Sequence, residues 1–177
     1  VLSEDFSRKE VYAARDLWDE IEEKSRAITD GKWKYIRNDK PDIPWDASQA
    51  YLEFYRPAVH IMRSLKKQGK LNKEQQQYFA DSKPSEELYD IQNDPFELNN
   101  LAESTNFTAV LEAMRARTKT YDSIMHPVST IYNPVHASAV DVLNWVKKEK
   151  PKLYKEMLAG VEIGFHTMAN EYEKLEK

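Results

Sequence analysis

The sequence predicts an α+β fold, in which a small four-stranded antiparallel sheet packs with helices and a helical C-terminal extension follows. Residues 24–29 and 32–37 favour β structure and flank the pair Asp30-Gly31, which is typical of a tight hairpin turn. Apolar residues recur every three or four positions over residues 48–67 and 107–121, as they do on one face of a helix. Strand signals and helix signals in one short chain indicate an α+β fold.

Length and composition set the limits of this prediction. A chain of 177 residues accommodates one domain with an appendage, and we predict a first domain over residues 1–126 and a helical extension over residues 127–177. The net charge of −4 comes without a clustered basic face, so we expect no nucleic-acid partner and no membrane contact. The chain contains no cysteine, which excludes disulfides, thiolate metal sites and cysteine nucleophiles within it.

The four predicted strands are short. Residues 11–14 and 87–91 supply the outer two, and the central two pair through a two-residue type I′ turn at Asp30-Gly31. Trp33 and Tyr35 share one face of their strand, because alternate side chains point the same way, and we expect this aromatic pair to pack on a helix. Two arginines of the central strands, Arg26 and Arg37, are expected on the surface of the sheet.

The helices of the first domain carry recognisable boundaries. Pro57 interrupts the apolar pattern of residues 48–67, which predicts a kink or two helices. Gly69 is a suitable stop, and Asn72 with Gln75 three residues later indicates a capping box that opens a short helix to about residue 80. The face that repeats over residues 107–121 predicts a third helix, packed over one side of the sheet.

The tail is predicted to be helical as well. Ser138 followed by Asp141 marks one helix start, and Pro151 marks another. Farther on, apolar residues step by four and three, at Val161, Phe165, Met168, Tyr172 and Leu175. That spacing suits either a coiled coil or an amphipathic helix packed on its own domain, and with only about two heptads the second interpretation is favoured.

Three stretches, taken together and in order, carry a resemblance to a known family. They are VYAARD (11–16) with Asp19-Glu20 after it, RAITDGKWKYIRN (26–38) and ELYDIQNDPFELNNLA (87–102). In order and spacing they resemble the C-terminal region of sulfatases of the arylsulfatase and heparan N-sulfatase type. The third stretch is the most specific, and the resemblance covers roughly residues 6–125. It implies a small C-terminal subdomain, whose partner is a large N-terminal catalytic domain that this chain lacks.

The resemblance also implies the chemistry of the parent enzyme. Such enzymes use a formylglycine, made from the first residue of a C/S-x-P-S-R motif, and a divalent cation, usually Ca²⁺. Residues 82–86 read S-x-P-S but end in Glu86 instead of arginine, so we predict neither catalytic nor metal-binding residues in this chain. We expect the histidines, at positions 60, 126, 136 and 166, to be surface or hydrogen-bonded residues. The compartment is not given by the sequence, and the resemblance implies an exported parent.

A charged group follows the first predicted strand and is the candidate substrate contact. In the parent fold, loops of the C-terminal subdomain border the active-site cleft, which makes Arg15, Asp16 and Asp19 cleft candidates. An arginine pairs well with an anionic group, and carboxylates accept hydrogen bonds from sugar hydroxyls. The alternative is that the three residues are surface charges or form an interdomain salt bridge.

Two functions therefore remain open at this point. The first is a non-catalytic part of a sulfatase, cut from a longer chain, that packs on the missing catalytic domain. The second is a free-standing carbohydrate-binding or assembly module derived from such an enzyme. If the chain is a fragment, aromatic residues around Tyr12, Trp18, Trp45 and Tyr51 should form an exposed docking face. That face or the tail helix would also permit a homodimer.

Overall fold

The computed structural model describes residues 8–125 and 137–175. Within these residues, four strands form one antiparallel sheet in the order β1 (Val11–Trp18), β2 (Ile21–Thr29), β3 (Trp33–Asn38) and β4 (Glu86–Asp90). The α-helices are α1 (Ala58–Lys67), α2 (Lys73–Tyr78), α3 (Thr108–Met125), α4 (Ala139–Glu149), α5 (Pro151–Leu158) and α6 (Phe165–Glu173). The predicted α+β class, with a four-stranded antiparallel sheet and helices, is confirmed.

The chain divides into two compact units. The sheet unit comprises residues 8–16, 23–42 and 83–125, and the helical unit comprises residues 17–22, 43–82 and 137–175. The predicted domain boundary between residues 126 and 127 lies outside the described residues and stays a prediction.

The turn between β2 and β3 differs from the predicted one by a single position. Thr29 pairs with Lys34, and the Asp30 amide donates to the Trp33 carbonyl, so Gly31 and Lys32 are the central residues. Gly31 has a φ of 87°, and a positive φ at the first central position alone is the type II′ pattern. The Asp30 side chain stabilises this register, because its Oδ1 accepts hydrogen bonds from the amides of Lys32 and Trp33.

The apolar core of the sheet unit lies between the sheet and α3. The buried side chains of Ile28 on β2, Tyr35 on β3 and Leu88 on β4 belong to this core. Leu111 and Met114 of α3 pack over them. The predicted packing of the aromatic pair on a helix is confirmed, because Tyr35 belongs to this cluster and Trp33 and Phe107 pack against it. The ring centroids of Trp33 and Phe107 lie 5.6 Å apart.

The helical unit has a separate and more apolar core. Phe54 lies in a π-helical turn, residues Tyr51–Tyr55, and packs against Val146, Met157 and Phe165 of the C-terminal helices. Pro57 separates that turn from α1, as the sequence predicts. Gly69, with a φ of 66°, follows α1 and ends it as expected.

Three predicted helix starts are confirmed. Asn72 and Gln75 form a reciprocal capping box at the start of α2, in which each side chain accepts a hydrogen bond from the other residue's backbone amide. At the start of α4, the Ser138 side chain accepts from the Asp141 amide. Pro151 is the first residue of α5, where a missing amide proton is not needed for a helical hydrogen bond.

The apolar spacing of the tail does not form a continuous helical seam. α6 begins at Phe165, directly after Gly164 with a φ of 76°, so Val161 lies before the helix and is exposed. Phe165 and Met168 are buried in the core of the helical unit. The favoured interpretation, an amphipathic helix packed on its own domain, is therefore confirmed. Among the described helices, none is long and apolar enough to cross a bilayer.

Candidate functional site: a charged cluster on the first two strands

Arg15, the first cleft candidate, lies beside a buried ion pair in the sheet unit. Its guanidinium Nη2 contacts Glu23 Oε2, and the Nζ of Lys83 donates to Glu23 Oε1 over 2.8 Å. The side chain of Lys83 is 1% exposed and that of Arg15 is 47% exposed. The three residues therefore form a chain of charges that runs from the interior of the unit to its surface.

Asp16, the second candidate, takes part in another ion network. Its Oδ1 lies 2.6 Å from Nη1 of Arg26, and Nε of Arg26 lies 3.5 Å from Asp122 on α3. Asp122 also accepts from Arg37 over 2.8 Å. Arg26 is only 6% exposed, so the expectation that it lies on the sheet surface is wrong. Its acidic partners balance a guanidinium group that burial would otherwise disfavour.

The titration of this network follows from its contacts. Burial raises the pKa of Asp122, but hydrogen bonds from Tyr12 and Arg37 and the charges of Arg37 and Arg26 outweigh burial, so the pKa lies below its ordinary value. Burial and the hydrogen bond to Asp122 together raise the pKa of the Tyr12 hydroxyl to about 12. Asp122 is therefore a carboxylate and Tyr12 a neutral donor at neutral pH.

Asp19, the third candidate, belongs to the helical unit. It lies in the two-residue connection between β1 and β2 and has a left-handed φ of 50°. Its Oδ2 accepts a hydrogen bond from the buried Gln49 side chain, and the neighbouring Glu20 accepts one from the Ala50 amide. Both carboxylates thus hold the start of the helical turn that follows. Contact of Arg15, Asp16 or Asp19 with substrate stays a prediction.

The S-x-P-S sequence before β4 is a structural connector. Lys83 occupies its second position and is the buried partner of Glu23, and the Pro84 carbonyl accepts from the Asn38 side chain over 2.8 Å. The Ser85 carbonyl accepts from the Asn38 amide over 2.9 Å. These bonds join the connector to β2 and to the end of β3.

The histidines agree with the expectation wherever they are described. His60 is buried, and its Nε2 lies 3.0 Å from the Glu53 carbonyl and 3.2 Å from Glu53 Oε2. His166 is exposed beside the ring of Tyr55. His126 and His136 lie outside the described residues. Within residues 8–125 and 137–175, no group of three or more histidine, aspartate or glutamate side chains is arranged to hold a metal ion.

The aromatic residues predicted to form a docking face differ in exposure. Trp18 and Tyr51 are 37% and 44% exposed, Trp45 is half-buried, and all three belong to the helical unit. Tyr12 belongs to the sheet unit and stacks on Tyr121, with ring centroids 5.1 Å apart. Docking of a partner on any of these residues, and the homodimer, stay predictions.

Glu23 and Lys83 are the residues of the cluster that sequence reasoning missed. They lie 60 positions apart, and neither stands out from the many surface charges of the chain. The signal that pointed toward the cluster was the run of charges after the first strand, which identified Arg15 and Asp16 but not their partners. The proline after Lys83 was a weaker signal, because it marks an ordered connector rather than a flexible loop.

Comparison of this sequence with those of known proteins finds similarity to sulfatases. The chain is 41% identical over 108 residues to an ulvan-active sulfatase from Formosa agariphila, a match that covers 61% of this chain and 18% of that protein. A second ulvan-active sulfatase from the same organism is 30% identical over 90 residues, which covers 51% of this chain and 15% of that protein. No protein-family model matches the chain.

Two solved structures are also similar, a sulfatase from Bacteroides thetaiotaomicron and a 2-O GAG sulfatase. Each is 17% identical with a TM-score of 0.40 and covers 69% of this chain and 18% of the solved chain. Likeness at that level carries no argument about function. The predicted resemblance to sulfatases is confirmed by the sequence relatives, and the match spans less than a fifth of their length.

Proposed function

We propose that this chain is the C-terminal, non-catalytic part of a sulfatase that hydrolyses sulfate esters or N-sulfates. The observation that carries the proposal is the 41% identity with an ulvan-active sulfatase over 108 residues. That match covers only 18% of the length of the ulvan-active sulfatase. Because both sequence relatives are ulvan-active, a sulfated polysaccharide is favoured over a small aryl sulfate as the substrate.

The catalytic machinery is assigned to the part of the parent protein outside this sequence. The one S-x-P-S sequence of this chain ends in Glu86 and serves as a connector whose Lys83 is buried against Glu23. A formylglycine and Ca²⁺, which the resemblance implies, would therefore be held by the missing N-terminal domain. No catalytic step is assigned to a residue of this chain.

The proposed contribution of this chain is to pack on that domain and to border its substrate cleft. Arg15 is the residue best suited to contact a sulfate group, since its guanidinium is half-exposed and carries planar N–H donors that match an oxyanion. Asp16 is half-buried against Arg26, so its proposed contact with sugar hydroxyls is the weaker of the two.

A first experiment tests the assignment of catalysis. The purified chain is incubated with an aryl sulfate and with ulvan in the presence of Ca²⁺, and sulfate release is measured. We expect none above the buffer blank. Turnover that co-purifies with the chain would overturn the non-catalytic assignment.

A second experiment tests whether the chain serves as a sulfatase subdomain. The matched 108-residue segment of the ulvan-active sulfatase is replaced by the corresponding segment of this chain, and hydrolysis of ulvan is measured. We expect a soluble chimera with measurable activity. A control chimera with Leu88→Asp, which places a charge in the sheet core, should lose activity. A folded but inactive first chimera would favour the free-standing module instead.

A further inference from the structure

A cavity opens in the sheet unit between the residues that lead into β1 and the end of α3. Its volume is about 510 Å³, which lies within the range typical of small-molecule sites. Residues 8–12 form one side of it, and Tyr121 and Met125 form the other. None of the three cleft candidates lines it. The cavity is therefore a second candidate site of the sheet unit.

Two tyrosine rings form the aromatic wall of this cavity. Tyr12 and Tyr121 stack with their ring centroids 5.1 Å apart and an angle of 9° between the ring planes. The Tyr12 hydroxyl donates to Asp122 on α3, and the Tyr121 hydroxyl hydrogen-bonds to Glu10 just before β1. Each tyrosine is thus tied to the segment that carries the other, so the wall is in place before a ligand binds, which lowers the entropic cost of binding.

Lys9 is the cation that the cavity offers to a ligand. Its side chain lines the cavity and is exposed, and its ammonium group forms no ion pair or hydrogen bond with another described residue. Arg8 also lines the cavity but has interactions of its own. The Glu10 carboxylate lies 3.6 Å from Nη1 of Arg117, which also contacts Asp30, so its negative charge is partly offset. An anionic group is therefore favoured beside Lys9.

This combination of side chains suits a sulfated sugar. The C–H faces of a sugar ring are apolar and can pack on aromatic side chains, whose surface is largely hydrophobic. A sulfate group is an oxyanion that accepts charge-assisted hydrogen bonds from an ammonium group. A docked protein segment would need a contiguous apolar surface, whereas this lining mixes charged, hydroxyl-bearing and apolar side chains.

We propose that this cavity binds a sulfated sugar unit of a polysaccharide, with the tyrosine pair against the sugar ring and the Lys9 ammonium group on the sulfate. The inference rests on the proposed function, which supplies the sulfated polysaccharide, and it adds a binding site that the proposed function does not include. The chain then holds the polymer in addition to packing on the catalytic domain.

The test is isothermal titration calorimetry of the 177-residue chain with ulvan oligosaccharides, and with the same oligosaccharides after desulfation. Lys9→Gln removes the cation at an exposed position, so this variant should remain folded. Tyr121→Leu removes one ring of the wall and keeps an apolar side chain. The matched control is Lys119→Gln, which removes the same charge from an exposed position of α3 that does not line the cavity. Circular dichroism establishes that each variant is folded.

We expect Lys9→Gln to bind the sulfated oligosaccharides about tenfold more weakly than the unmodified chain, as the loss of one charge-assisted hydrogen bond implies. Tyr121→Leu should bind them about three- to tenfold more weakly, as the loss of an aromatic contact implies. Lys119→Gln should bind them as the unmodified chain does. Desulfated oligosaccharides should bind about tenfold more weakly, and Lys9→Gln should not weaken them further, because the two changes remove the same contact.

Three outcomes would overturn the proposal. The first is that the unmodified chain binds no sulfated oligosaccharide, which would leave the cavity as a docking place for a protein segment. The second is that Lys9→Gln and Lys119→Gln weaken binding equally, which would show unspecific attraction between charges. The third is that desulfated oligosaccharides bind as tightly as sulfated ones. Should Tyr121→Leu unfold, Lys9→Gln with its control decides the matter.

The chimera described above separates this inference from the function on which it rests. An active chimera, together with an isolated chain that binds no oligosaccharide, would overturn the sugar site and leave the proposed function standing. A folded but inactive chimera would count against the proposed function, whatever the isolated chain binds.

Discussion

The buried residues of the sheet unit are polar and apolar in about equal measure, whereas those of the helical unit are largely apolar. In the sheet unit the buried polar and charged residues are about as numerous as the buried hydrophobic ones and include Glu23, Arg26, Asn38, Lys83 and Glu87. In the helical unit the buried hydrophobic residues, such as Phe54, Val142, Val146, Met157 and Phe165, clearly outnumber Gln49, Glu53 and His60.

This difference teaches that the two units depend on their residues in different ways. An apolar core tolerates substitutions that conserve volume, because burial of hydrophobic surface is not directional. A buried ion pair depends on both partners, since removing one leaves an uncompensated charge in the interior. The loss of stability caused by a substitution in the helical unit should therefore increase with the volume removed. In the sheet unit, that loss should depend on whether a buried charge is left unpaired.

The largest expected effect is a cavity in the helical unit. Phe54→Ala removes a fully buried ring that packs edge-on against Phe165, with centroids 5.3 Å apart. We expect a loss of about 3–5 kcal/mol in the free energy of unfolding, measured by urea denaturation. Tyr51→Ala, which removes an exposed ring from the same helical turn, should cost much less. Equal losses for the two variants would contradict the apolar core assigned to this unit.

A slightly smaller loss of stability is expected when a buried carboxylate of the sheet unit loses its cationic partner. Lys83→Met leaves the Glu23 carboxylate buried with only its contact to Arg15 on the surface side, so we expect a loss of about 3 kcal/mol in the free energy of unfolding. Adding Glu23→Gln should recover most of that loss. Lys148→Met, at an exposed lysine, is the control and should have almost no effect. Failure of the second substitution to restore stability would show that packing, and not charge, dominates here.

The hairpin turn provides a backbone test of moderate size. Gly31 has a φ of 87°, and a β-branched residue is strained in that conformation even though no atom lies within 4 Å of the added Cβ. Gly31→Val should lower the free energy of unfolding by about 1–2 kcal/mol. Lys32→Val, at the adjacent central position without a positive φ, is the matched control. If both variants melt at the same temperature, the type II′ assignment is wrong.

The last prediction concerns the stability of the sheet unit at acidic pH, an effect that is absent near neutral pH. Hydrogen bonds from Arg115 lower the pKa of Glu86 despite its partial burial, and the pKa of Asp122 is also lowered. A carboxyl group whose pKa is lower in the folded state stabilises the fold above its unfolded pKa, and that stability is lost as the pH falls through the folded pKa. Amide hydrogen exchange should therefore show the sheet unit opening first as the pH is lowered below about 4.5, the ordinary pKa of a glutamate. Earlier opening of the helical unit would contradict this.

The sequence predicted the helices and their ends better than the charged cluster. Local rules are enough for the capping box at Asn72 and the cap at Ser138, since the interacting atoms lie three residues apart. The turn prediction was wrong by one position, because the Asp30 side chain accepts hydrogen bonds from the amides of Lys32 and Trp33. The dipeptide Asp-Gly alone does not reveal that preference. Burial of Arg26 and Lys83 depends on partners far away in the sequence, which no local pattern contains.

The position of Trp33 has a practical consequence for spectroscopy. Of the four tryptophans in the chain, Trp33 belongs to the sheet unit and Trp18, Trp45 and Trp145 belong to the helical unit. Trp33 packs near the ring of Phe107 in the sheet unit, so its fluorescence emission should shift to longer wavelengths when that unit opens. A Trp33→Phe variant would leave only the signal of the helical unit. The difference between the two emission spectra would then report the unfolding of each unit separately.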